Sequence, residues 1–523
     1  MDTPPSLRTQ ILVVGGGPAG SYSATLLARD GFEVTVIERD IFPRYHIGES
    51  LLPSVRQFLH LIDAEQLVES CGFVPKPGAA VKLNQYSREG YTDFTALDPN
   101  NKAWNVVRSE FDDVLLQHAA KSGVRVHQGT KILSINFDDQ RPVSVDWETK
   151  SGITGTLGFD WLVDASGRAG LMSTRYLHNR KINESLKNIA CWAYWSGGKV
   201  YARGTSRHNS PWFEALSDET GWSWYIPLHN GTVSVGFVMS TISSAHKRAN
   251  ATGKEHTGSN LRNHYLEQLK FTPGLANLLS DARICSEIKS ASDYSYSASA
   301  YSGDHFRLAG DAGAFIDPFF SSGVHLAFTG ALSAACTIAA SIRQHCTEQE
   351  AQTFHDLKIG TAYTRFLIVV LSAYKQVNQQ HAPVLHDLDE DNFDRAFDLL
   401  RPVLQGAADV GKELTENELE MAIEFCSSLF APTTLEMHQE VMARLDGELT
   451  RSDAPILLKD EIFQRVGKED EEALHVLGEI NARKQIHTMY DVAYQFGHEA
   501  WAGLVPTCIR GALGLARVGC RAE

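Results

Sequence analysis

Four residues near the start of the chain are spaced to hold a molecule that carries a pyrophosphate and a ribose. Gly15, Gly17 and Gly20 form the pattern G-x-G-x-x-G directly after the apolar run 11–14. Glycines at these positions permit a tight turn and let the backbone approach a pyrophosphate at the N-terminus of the following helix. Glu38 ends the next apolar run, eighteen residues after Gly20, where a carboxylate can accept hydrogen bonds from a ribose diol. The segment predicts a dinucleotide site formed by Gly15, Gly16, Gly17, Ala19, Gly20 and Glu38.

Three later motifs indicate that the dinucleotide is FAD rather than NAD. Arg108 precedes the residues Ser-Glu-Phe-Asp at 109–112, which resemble the R-x-x-F-D segment of flavoprotein hydroxylases. The run 310–313 resembles the G-D-A motif, whose aspartate, here Asp311, holds the ribityl chain, and 164–168 resembles the D-G motif. No second G-x-G-x-x-G follows a predicted strand, so the sequence predicts no NAD(P)H domain of its own. Hydroxylases of this fold also lack one, so this feature does not separate the two kinds of enzyme.

Two tryptophans add a feature that most flavoproteins lack. Trp222 and Trp224 lie in the segment Gly-Trp-Ser-Trp-Tyr-Ile-Pro at 221–227. Indoles at alternate positions of a strand point to the same face, so this pair predicts a wall beside the flavin that shields it. The nucleotide motif followed by W-x-W-x-I-P resembles the flavin-dependent halogenases. The similarity is greatest with fungal halogenases of phenolic polyketides such as resorcylic acid lactones, and it covers the segments 42–50, 104–109, 221–227, 294–301 and 317–326.

This resemblance implies a reaction and a set of partners. In the family, reduced FAD and O2 form a C4a-hydroperoxide, and chloride attacks its distal oxygen to give hypochlorous acid. A lysine then presents the halogen to an electron-rich arene, while the protein positions, shields and polarises the reactants. The resemblance therefore implies chlorination of a free phenolic polyketide, with O2 and chloride as co-substrates. It also implies a separate NAD(P)H-dependent flavin reductase as a partner.

Two lysines are candidates for that catalytic role. Lys76 matches the lysine of the phenol-type members in the motif G-F-x-x-K-x-G-A, whereas Lys82 matches a basic position outside the motif. Pro75 and Pro77 restrict the backbone on both sides of Lys76. An ammonium in a dry pocket can hydrogen-bond hypochlorous acid, and burial that lowers its pKa would also permit a chloramine. We assign the role to Lys76.

The resemblance also assigns contacts with the flavin to a loop after the second predicted strand. Residues 43–50 match the family pattern P-R-x-x-I-G-E-S. Arg44 is expected to reach a phosphate or the flavin, and Glu49 and Ser50 are expected near the isoalloxazine. Arg108 and Asp311 complete the set of predicted FAD contacts in the later motifs.

The segment 317–324 matches the part of the family that binds halide. Ser322 and Gly323 offer backbone N–H groups at the start of a helix, which suit an anion, and Val324 is expected to border the FAD. Phe320 stands where tryptophan halogenases carry a glutamate just before this pair. A phenol already directs electrophiles to its ortho and para carbons, so the substitution fits a phenolic substrate but leaves the catalytic base open.

Two other functions remain compatible with the sequence. A single-component aromatic hydroxylase that uses FAD and NAD(P)H would share the fold, and chloride dependence would separate it from a halogenase. A non-catalytic binding protein built on a flavin fold would need neither halide nor bound FAD. Trp192, Tyr194 and Trp195 fit an arene pocket and a packed core equally well.

Composition excludes several classes of function. The 523 residues carry a formal net charge of −15 without a basic tract, so a nucleic-acid partner is not expected. The 8 cysteines are scattered without zinc spacing, which predicts reduced thiols and no metal site. The N-terminus lacks a signal-peptide pattern and the apolar run 366–371 is too short to span a bilayer, so a cytoplasmic protein without stable membrane insertion is expected. The segment 502–519 is interpreted as a packed or surface helix.

The elements that must position these residues predict an α/β fold with an FAD-binding, Rossmann-like domain of the GR2, or hydroxylase, type. This halogenase- or monooxygenase-like domain is assigned to 1–355, and a mostly antiparallel substrate-side sheet is inserted at about 186–282. Residues 356–523 are assigned to a C-terminal helical region, with helices expected at 391–401, 416–427 and 468–482. Helices are also expected at 109–120, capped by Ser109, and from Gly323 to Arg343.

Overall fold

The computed structural model describes 5–83, 85, 89–95, 99–251, 260–292, 294–378, 380, 435–445, 457, 459–467, 469–478, 480 and 500–519. Its strands are β1 (Arg8–Val14), β2 (Val34–Ile37), β3 (Val74–Lys76), β4 (Gly78–Lys82), β5 (Gly90–Asp93), β6 (Ala103–Asn105), β7 (Arg125–His127), β8 (Thr130–Asp138), β9 (Arg141–Thr149), β10 (Thr154–Asp164), β11 (Arg180–Ile182), β12 (Asn188–Ser196), β13 (Trp212–Ala215), β14 (Gly221–Pro227), β15 (Thr232–Ser240), β16 (Arg283–Ile284), β17 (Lys289–Ser292), β18 (Tyr296–Ala298), β19 (Ser302–Gly303), β20 (Phe306–Leu308), β21 (Leu504–Thr507) and β22 (Gly514–Arg517).

The helices of the same ranges are α1 (Pro18–Arg29), α2 (Val55–Leu61), α3 (Glu65–Glu69), α4 (Arg108–Lys121), α5 (Thr241–Ala251), α6 (Asn260–Glu267), α7 (Pro273–Leu278), α8 (Gly323–Ile342), α9 (Glu348–Asn378), α10 (Leu435–Arg444) and α11 (Lys459–Val466). Short 3-10 turns lie at Gly167–Ala169, Glu184–Leu186, Gln268–Phe271 and Gly310–Ala312, and a π-helical turn lies at Leu171–Tyr176.

The first sheet is the predicted nucleotide-binding sheet. Its strands follow the order β19-β20-β10-β1-β2-β7, and the β8–β9 hairpin extends it through antiparallel pairing of β9 with β10. β1 pairs in parallel with both β2 and β10, and β10 pairs in parallel with β20. The uninterrupted apolar run of β1 is buried on both faces, as expected for a central parallel strand. Parallel strands place their carboxyl ends on one edge, so the turns at Gly15, Ala165 and Gly310 meet there.

The second sheet is the predicted substrate-side sheet, with contributors outside the predicted range. Its order is β16-β12-β15-β14-β13-β4-β5, and β17 also pairs with β12. The strands β12 to β15 fall within 186–282 and pair antiparallel. However, β4 and β5 come from 78–93, and β4 joins β13 in parallel. The boundaries 186–282 therefore cover only part of this sheet, because strand pairing joined segments that are far apart in the chain.

Helix α9 connects the two predicted regions. It runs from Glu348 to Asn378 and so crosses the division proposed at 355, which remains a prediction. The helices expected at 391–401 and 416–427 lie outside the described residues. Within 468–482, residues 471–478 are helical.

Two local predictions are wrong. The segment 502–519 forms the antiparallel hairpin β21–β22 instead of a helix, and Leu504 and Leu515 are buried in the core that contains α8. Gly503 and Gly511 have left-handed backbones, with φ of +75° and +81°, and Pro506 removes a helical hydrogen-bond donor. Ser109 is not a cap, because α4 begins one residue earlier, after an extended Val107.

Helix α8 is the described segment that most resembles a membrane span. Gly323–Ile342 is long and apolar enough to cross a bilayer by length and composition. However, 89% of its most apolar window is buried inside the protein, where it packs with α1. It is the core helix of the nucleotide-binding region.

Candidate active site

A cavity of about 780 Å³ lies where the two sheets and the loop 44–50 meet. One side, here called the glycine-rich wall, consists of Gly15, Gly17, Pro18, Ala19 and Glu38. Another side, here called the aromatic wall, consists of Tyr45, Trp192, Phe213, Trp222 and Trp224. Arg44, Glu49, Ser50, Arg108, Asp311, Gly323 and Val324 also line the cavity. The cavity thus brings together most of the predicted site residues.

The glycine-rich wall has the shape that a pyrophosphate requires. Gly15 has a φ of +101°, and a Cβ atom there would lie 2.3 Å from the carbonyl oxygen of Ala165. A Cβ atom on Gly20 would lie 1.9 Å from the carbonyl oxygen of Gly15, although Gly20 itself does not line the cavity. Helix α1 begins with no side-chain cap, so its first N–H groups remain for a ligand.

Glu38 is already engaged by the backbone of this wall. Its Oε2 accepts a hydrogen bond from the N–H of Gly16 at 2.6 Å, and its Oε1 accepts one from Asp40 at 2.8 Å. These bonds hold the carboxylate at the end of β2. Each oxygen keeps a second lone pair, so the contact with a ribose diol remains a prediction.

Arg44 and Arg108 share one buried carboxylate that sequence reasoning left without a role. Arg44 Nη1 lies 2.8 Å from Asp112 Oδ2, while Arg108 forms two hydrogen bonds with the same carboxylate at 2.8 and 3.0 Å. Both guanidinium groups hold the pKa of Asp112 below its usual range, against the opposing effect of burial. Arg108 and Asp112 are four residues apart on α4, and this spacing would have indicated the pair if the helix had been predicted to begin one residue earlier.

These ion pairs also orient the loop 44–50, which lines the cavity. Arg108 Nη1 donates to the carbonyl oxygen of Ile47 at 2.8 Å, which fixes the loop that leads to Glu49 and Ser50. Ser50 Oγ is buried and lines the cavity, with no hydrogen-bond partner among the described residues. A buried hydroxyl without a partner is costly, so this atom fits a polar group of a bound cofactor.

Asp311 lies in the 3-10 turn after β20 and lines the cavity. Burial raises the pKa of its carboxyl to about 6, although Arg108, Arg168 and Arg180 favour the charged form. An added hydrogen bond from a ligand hydroxyl would stabilise the charge further. This surrounding is compatible with the predicted contact to the ribityl chain.

Glu49 is a buried carboxylate on the same loop. Its Oε1 accepts a hydrogen bond from the hydroxyl of Tyr194 at 2.5 Å. Burial raises its pKa to about 7, while Tyr194, Ser234 and Arg108 act in the opposite direction. On sequence alone, Trp192, Tyr194 and Trp195 fit an arene pocket and a packed core equally well. The hydroxyl of Tyr194 contacts Glu49, which lines the cavity.

Lys76 is enclosed by protein, whereas Lys82 is half-buried at the end of β4 in the second sheet. The side chain of Lys76 lies at the end of β3, and its Nζ donates to the carbonyl oxygen of Leu51 at 2.8 Å. Its Nζ also lies 5.1 Å from the centre of the Phe94 ring. Burial lowers the pKa of Lys76 to about 7. Lys76 does not line the cavity itself. Its hydrogen bond to Leu51 attaches it to the loop that contains Glu49 and Ser50, and both of these residues line the cavity.

The aromatic wall is fixed by hydrogen bonds from distant elements. Trp222 and Trp224 lie on one face of β14 with ring centres 5.9 Å apart. Trp222 Nε1 donates to the hydroxyl of Tyr374 on α9 at 2.8 Å, and that hydroxyl donates to Asp317 Oδ2 at 2.9 Å. Sequence reasoning missed Tyr374, because no local pattern connects it with a strand 152 residues earlier.

The predicted halide segment starts helix α8. Ser322 is buried and precedes the first helical residue, and Gly323 and Val324 line the cavity, whereas Ser322 does not. Phe320 packs against Phe319 with ring centres 5.0 Å apart. Position 320, where tryptophan halogenases carry a glutamate, is therefore part of an aromatic cluster in this chain. Among the described residues, no group of three or more His, Cys, Asp or Glu side chains could hold a metal ion.

The parallel sheet, the uncapped glycine turn and the cavity with its buried polar groups define an FAD-dependent enzyme of the hydroxylase fold. The model of the tryptophan halogenase family matches 10–100 and 79–417. The chain belongs to this family and is a flavin-dependent halogenase, which decides against the hydroxylase and the binding protein considered above.

Curated fungal relatives cover nearly the whole chain. The flavin-dependent halogenase armH1 of Armillaria mellea is 56% identical over 97% of this chain and 98% of its own length. The sulochrin halogenase gedL of Aspergillus terreus is 43% identical over 98% of this chain and 93% of its own length. Among solved structures, the myxobacterial chondrochloren halogenase CndH superposes with a TM-score of 0.66 at 26% identity, covering 81% of this chain and 97% of that protein.

Proposed function

We propose that the enzyme chlorinates a free phenolic, polyketide-type compound in secondary metabolism, with Lys76 presenting the halogen to the ring. The observation that carries the proposal is an ammonium group enclosed by protein and bonded to the loop 49–51 beside the cavity. When bound, reduced FAD supplies two electrons to O2, which with chloride and a proton yields hypochlorous acid. Every other task falls to the residues of the chain.

Lys76 suits this task because of its environment. With a pKa of about 7, both protonation states are populated near neutral pH. The ammonium form can donate a hydrogen bond to hypochlorous acid and polarise its O–Cl bond toward the arene. The neutral amine can instead displace hydroxide from chlorine and form a chloramine.

The halide and the flavin are assigned to the start of α8 and the glycine-rich wall. The N–H groups of Ser322 and Gly323 would hold chloride, and Val324 would border the flavin. Arg44 and the turn Gly15–Gly20 would face the pyrophosphate, Glu38 the ribose, and Asp311 the ribityl chain. A Cβ atom on Gly17 would lie 3.3 Å from Arg44 Nη2, which supports the placement of this guanidinium beside the turn.

The aromatic wall supports an aromatic substrate. Trp192, Trp222 and Trp224 present indole surface to the cavity, on which a phenol ring can stack. Phe320 removes the carboxylate that a weakly activated ring would need, and a relative at 43% identity is named for its action on sulochrin. We also propose that a separate NAD(P)H-dependent reductase supplies FADH2 and that the enzyme works in the cytoplasm.

The decisive experiment compares Lys76→Ala with Lys82→Ala. Each variant is incubated with FAD, a flavin reductase, NADH, chloride and a panel of phenols, and products are identified by their chlorine isotope pattern. We expect Lys76→Ala to lose halogenated product by about 10²–10⁴-fold, while O2 still reoxidises the flavin. Lys82→Ala should retain product. Near-normal chlorination by Lys76→Ala would overturn the assignment.

A further inference from the structure

Glu49, which lines the cavity, is connected to the protein surface by the hydroxyl groups of Tyr194 and Tyr45. The indole Nε1 of Trp192 lies 2.7 Å from the hydroxyl oxygen of Tyr45. That hydroxyl lies 3.2 Å from the hydroxyl of Tyr194, which in turn lies 2.5 Å from Glu49 Oε1. Glu49 is 3% exposed, whereas Tyr45 is 48% exposed. The series therefore begins at a buried carboxylate and ends in solvent.

The direction of these hydrogen bonds follows from the chemistry of the groups. An indole N–H can only donate, so Tyr45 accepts from Trp192, and in the observed geometry it accepts from Tyr194 as well. Tyr194 has one proton, which lies within hydrogen-bond distance of both Tyr45 and Glu49 Oε1, so its hydroxyl can turn from one to the other. A hydroxyl that can turn between an exposed tyrosine and a buried carboxylate can pass a proton inward from the surface.

The other carboxylates of the cavity are held differently. Glu38 accepts two backbone N–H groups, and Asp311 is stabilised as a charge by Arg108, Arg168 and Arg180. Asp40 has a partly exposed side chain that is paired with Arg39. Glu49 Oε2 is buried and forms no hydrogen bond of normal geometry with the described residues. The groups that face Glu49 are Tyr194 of β12, Ser234 of β15 and Arg108 of α4. Glu49 is thus the cavity carboxylate with one oxygen on the tyrosines and the other available.

The reaction needs such a group, if the proposed function holds. Chlorination of an arene ArH by FADH2, O2 and chloride gives ArCl, FAD and two molecules of water, and it consumes one proton. A carboxyl group that lines the cavity and is connected to solvent by hydrogen bonds can deliver that proton. Phe320 leaves no carboxylate at the position where tryptophan halogenases carry one.

We infer that Glu49, Tyr194 and Tyr45 form a proton route that supplies the cavity from solvent, with Glu49 as the donor inside it. The carboxylic acid of Glu49 gives its proton to the reacting oxygen species and becomes a carboxylate. The O–H bond of Tyr194 then breaks as a new O–H bond forms on Glu49 Oε1. Tyr45 restores the proton of Tyr194, and water restores that of Tyr45, so no tyrosinate accumulates. Rotation of the carboxyl group carries the proton to the side of Oε2.

The test uses the full-length enzyme with Tyr194→Phe and Tyr45→Phe, and Tyr225→Phe as the matched control. Tyr225 lies in the same sheet, but its hydroxyl donates to the carbonyl oxygen of Lys199, away from the cavity. Product formation is measured in a single turnover with premixed reduced FAD. We expect both route variants to be slower by about tenfold or more, with unchanged FAD affinity, and the control to equal the wild type.

A second readout does not depend on turnover. Infrared titration of the flavin-free protein follows the carboxyl band that disappears in Glu49→Gln. The hydrogen bond from Tyr194 stabilises the charged form of Glu49, so its loss in Tyr194→Phe should move the midpoint of the Glu49 titration to higher pH. Tyr45→Phe should leave this midpoint nearly unchanged. Normal turnover in both tyrosine variants, or a slower turnover explained by weaker FAD binding, would overturn the route. Chlorination by the wild type with dependence on Lys76 tests the proposed function separately, so the two failures are distinguishable.

Discussion

The glycine-rich wall of the cavity comes from consecutive residues that follow β1 and β2, whereas the aromatic wall combines side chains from β12, β13, β14 and the loop 44–50. In the first, backbone geometry creates the site: Gly15 and Gly20 approach other backbone atoms too closely for any side chain. In the second, side-chain hydrogen bonds create it: Trp192 is held by Tyr45, and Trp222 by Tyr374. The two walls should therefore fail in different ways when they are altered.

The largest expected effect is in Gly20→Ala, at a residue that lies outside the glycine-rich wall but packs against Gly15 of that wall. The new methyl group would lie 1.9 Å from the carbonyl oxygen of Gly15, so the turn must move. Strain of about 3 kcal/mol from such overpacking corresponds to roughly 100-fold weaker FAD binding. Fluorescence titration with FAD measures this change.

Gly16→Ala is the control for that experiment. Its methyl group would lie 3.2 Å from the end of the Leu116 side chain, which can shift. We expect FAD binding to weaken by less than about tenfold. Equal losses in both variants would show that backbone approach does not distinguish these positions.

The difference between the walls also explains how far the sequence could predict the molecule. Gly15–Gly20 and Glu38 are close in the chain and follow a strand pattern, so both their positions and the parallel sheet were predictable. The bond from Tyr194 to Glu49 spans 145 residues, and that from Tyr374 to Asp317 spans 57. No periodicity encodes such contacts, because they depend on how β12 and α9 pack in three dimensions.

The lysine illustrates the same limit. The flanking prolines and the family motif selected Lys76, but its burial depends on β3 pairing with β6 and on the carbonyl oxygen of Leu51. The hairpin at 504–517 was predicted as a helix because its apolar composition is neutral between the two structures. The left-handed glycines that decide the matter are visible only in the backbone.

A second prediction concerns pH and the burial of Lys76, which lies outside both walls. Its pKa is 10.5 when exposed and about 7 in the fold, so between these values the unfolded chain binds more protons and stability rises with pH. Between pH 7 and pH 9 this group should contribute about 2 kcal/mol of added stability. Below about pH 7 its contribution should be constant.

The measurement compares the free energy of unfolding in urea for the wild type and Lys76→Met over that pH range. The variant carries no titrating group at this position, so its advantage at pH 7 should shrink by about 2 kcal/mol at pH 9. The other groups titrate in both proteins and cancel in the difference. A difference that does not change with pH would mean that water reaches the ammonium in solution.

The smallest expected effect is on the aromatic wall, in Tyr374→Phe. The lost hydroxyl leaves the indole N–H of Trp222 and the carboxyl of Asp317 without that partner, at a cost of about 1–2 kcal/mol in stability. Because Trp222 can then tilt, we expect the KM for the phenol to rise severalfold while FAD affinity stays unchanged. Steady-state kinetics and FAD titration separate the two quantities.

Tyr363→Phe on the same helix is the control, because its hydrogen bonds go to residues other than Trp222. It should lose comparable stability without a change in KM, since only contacts at the aromatic wall orient the substrate. A fall in FAD affinity with an unchanged KM in Tyr374→Phe would contradict the division between the walls, because it would place α9 in control of the cofactor rather than of the substrate.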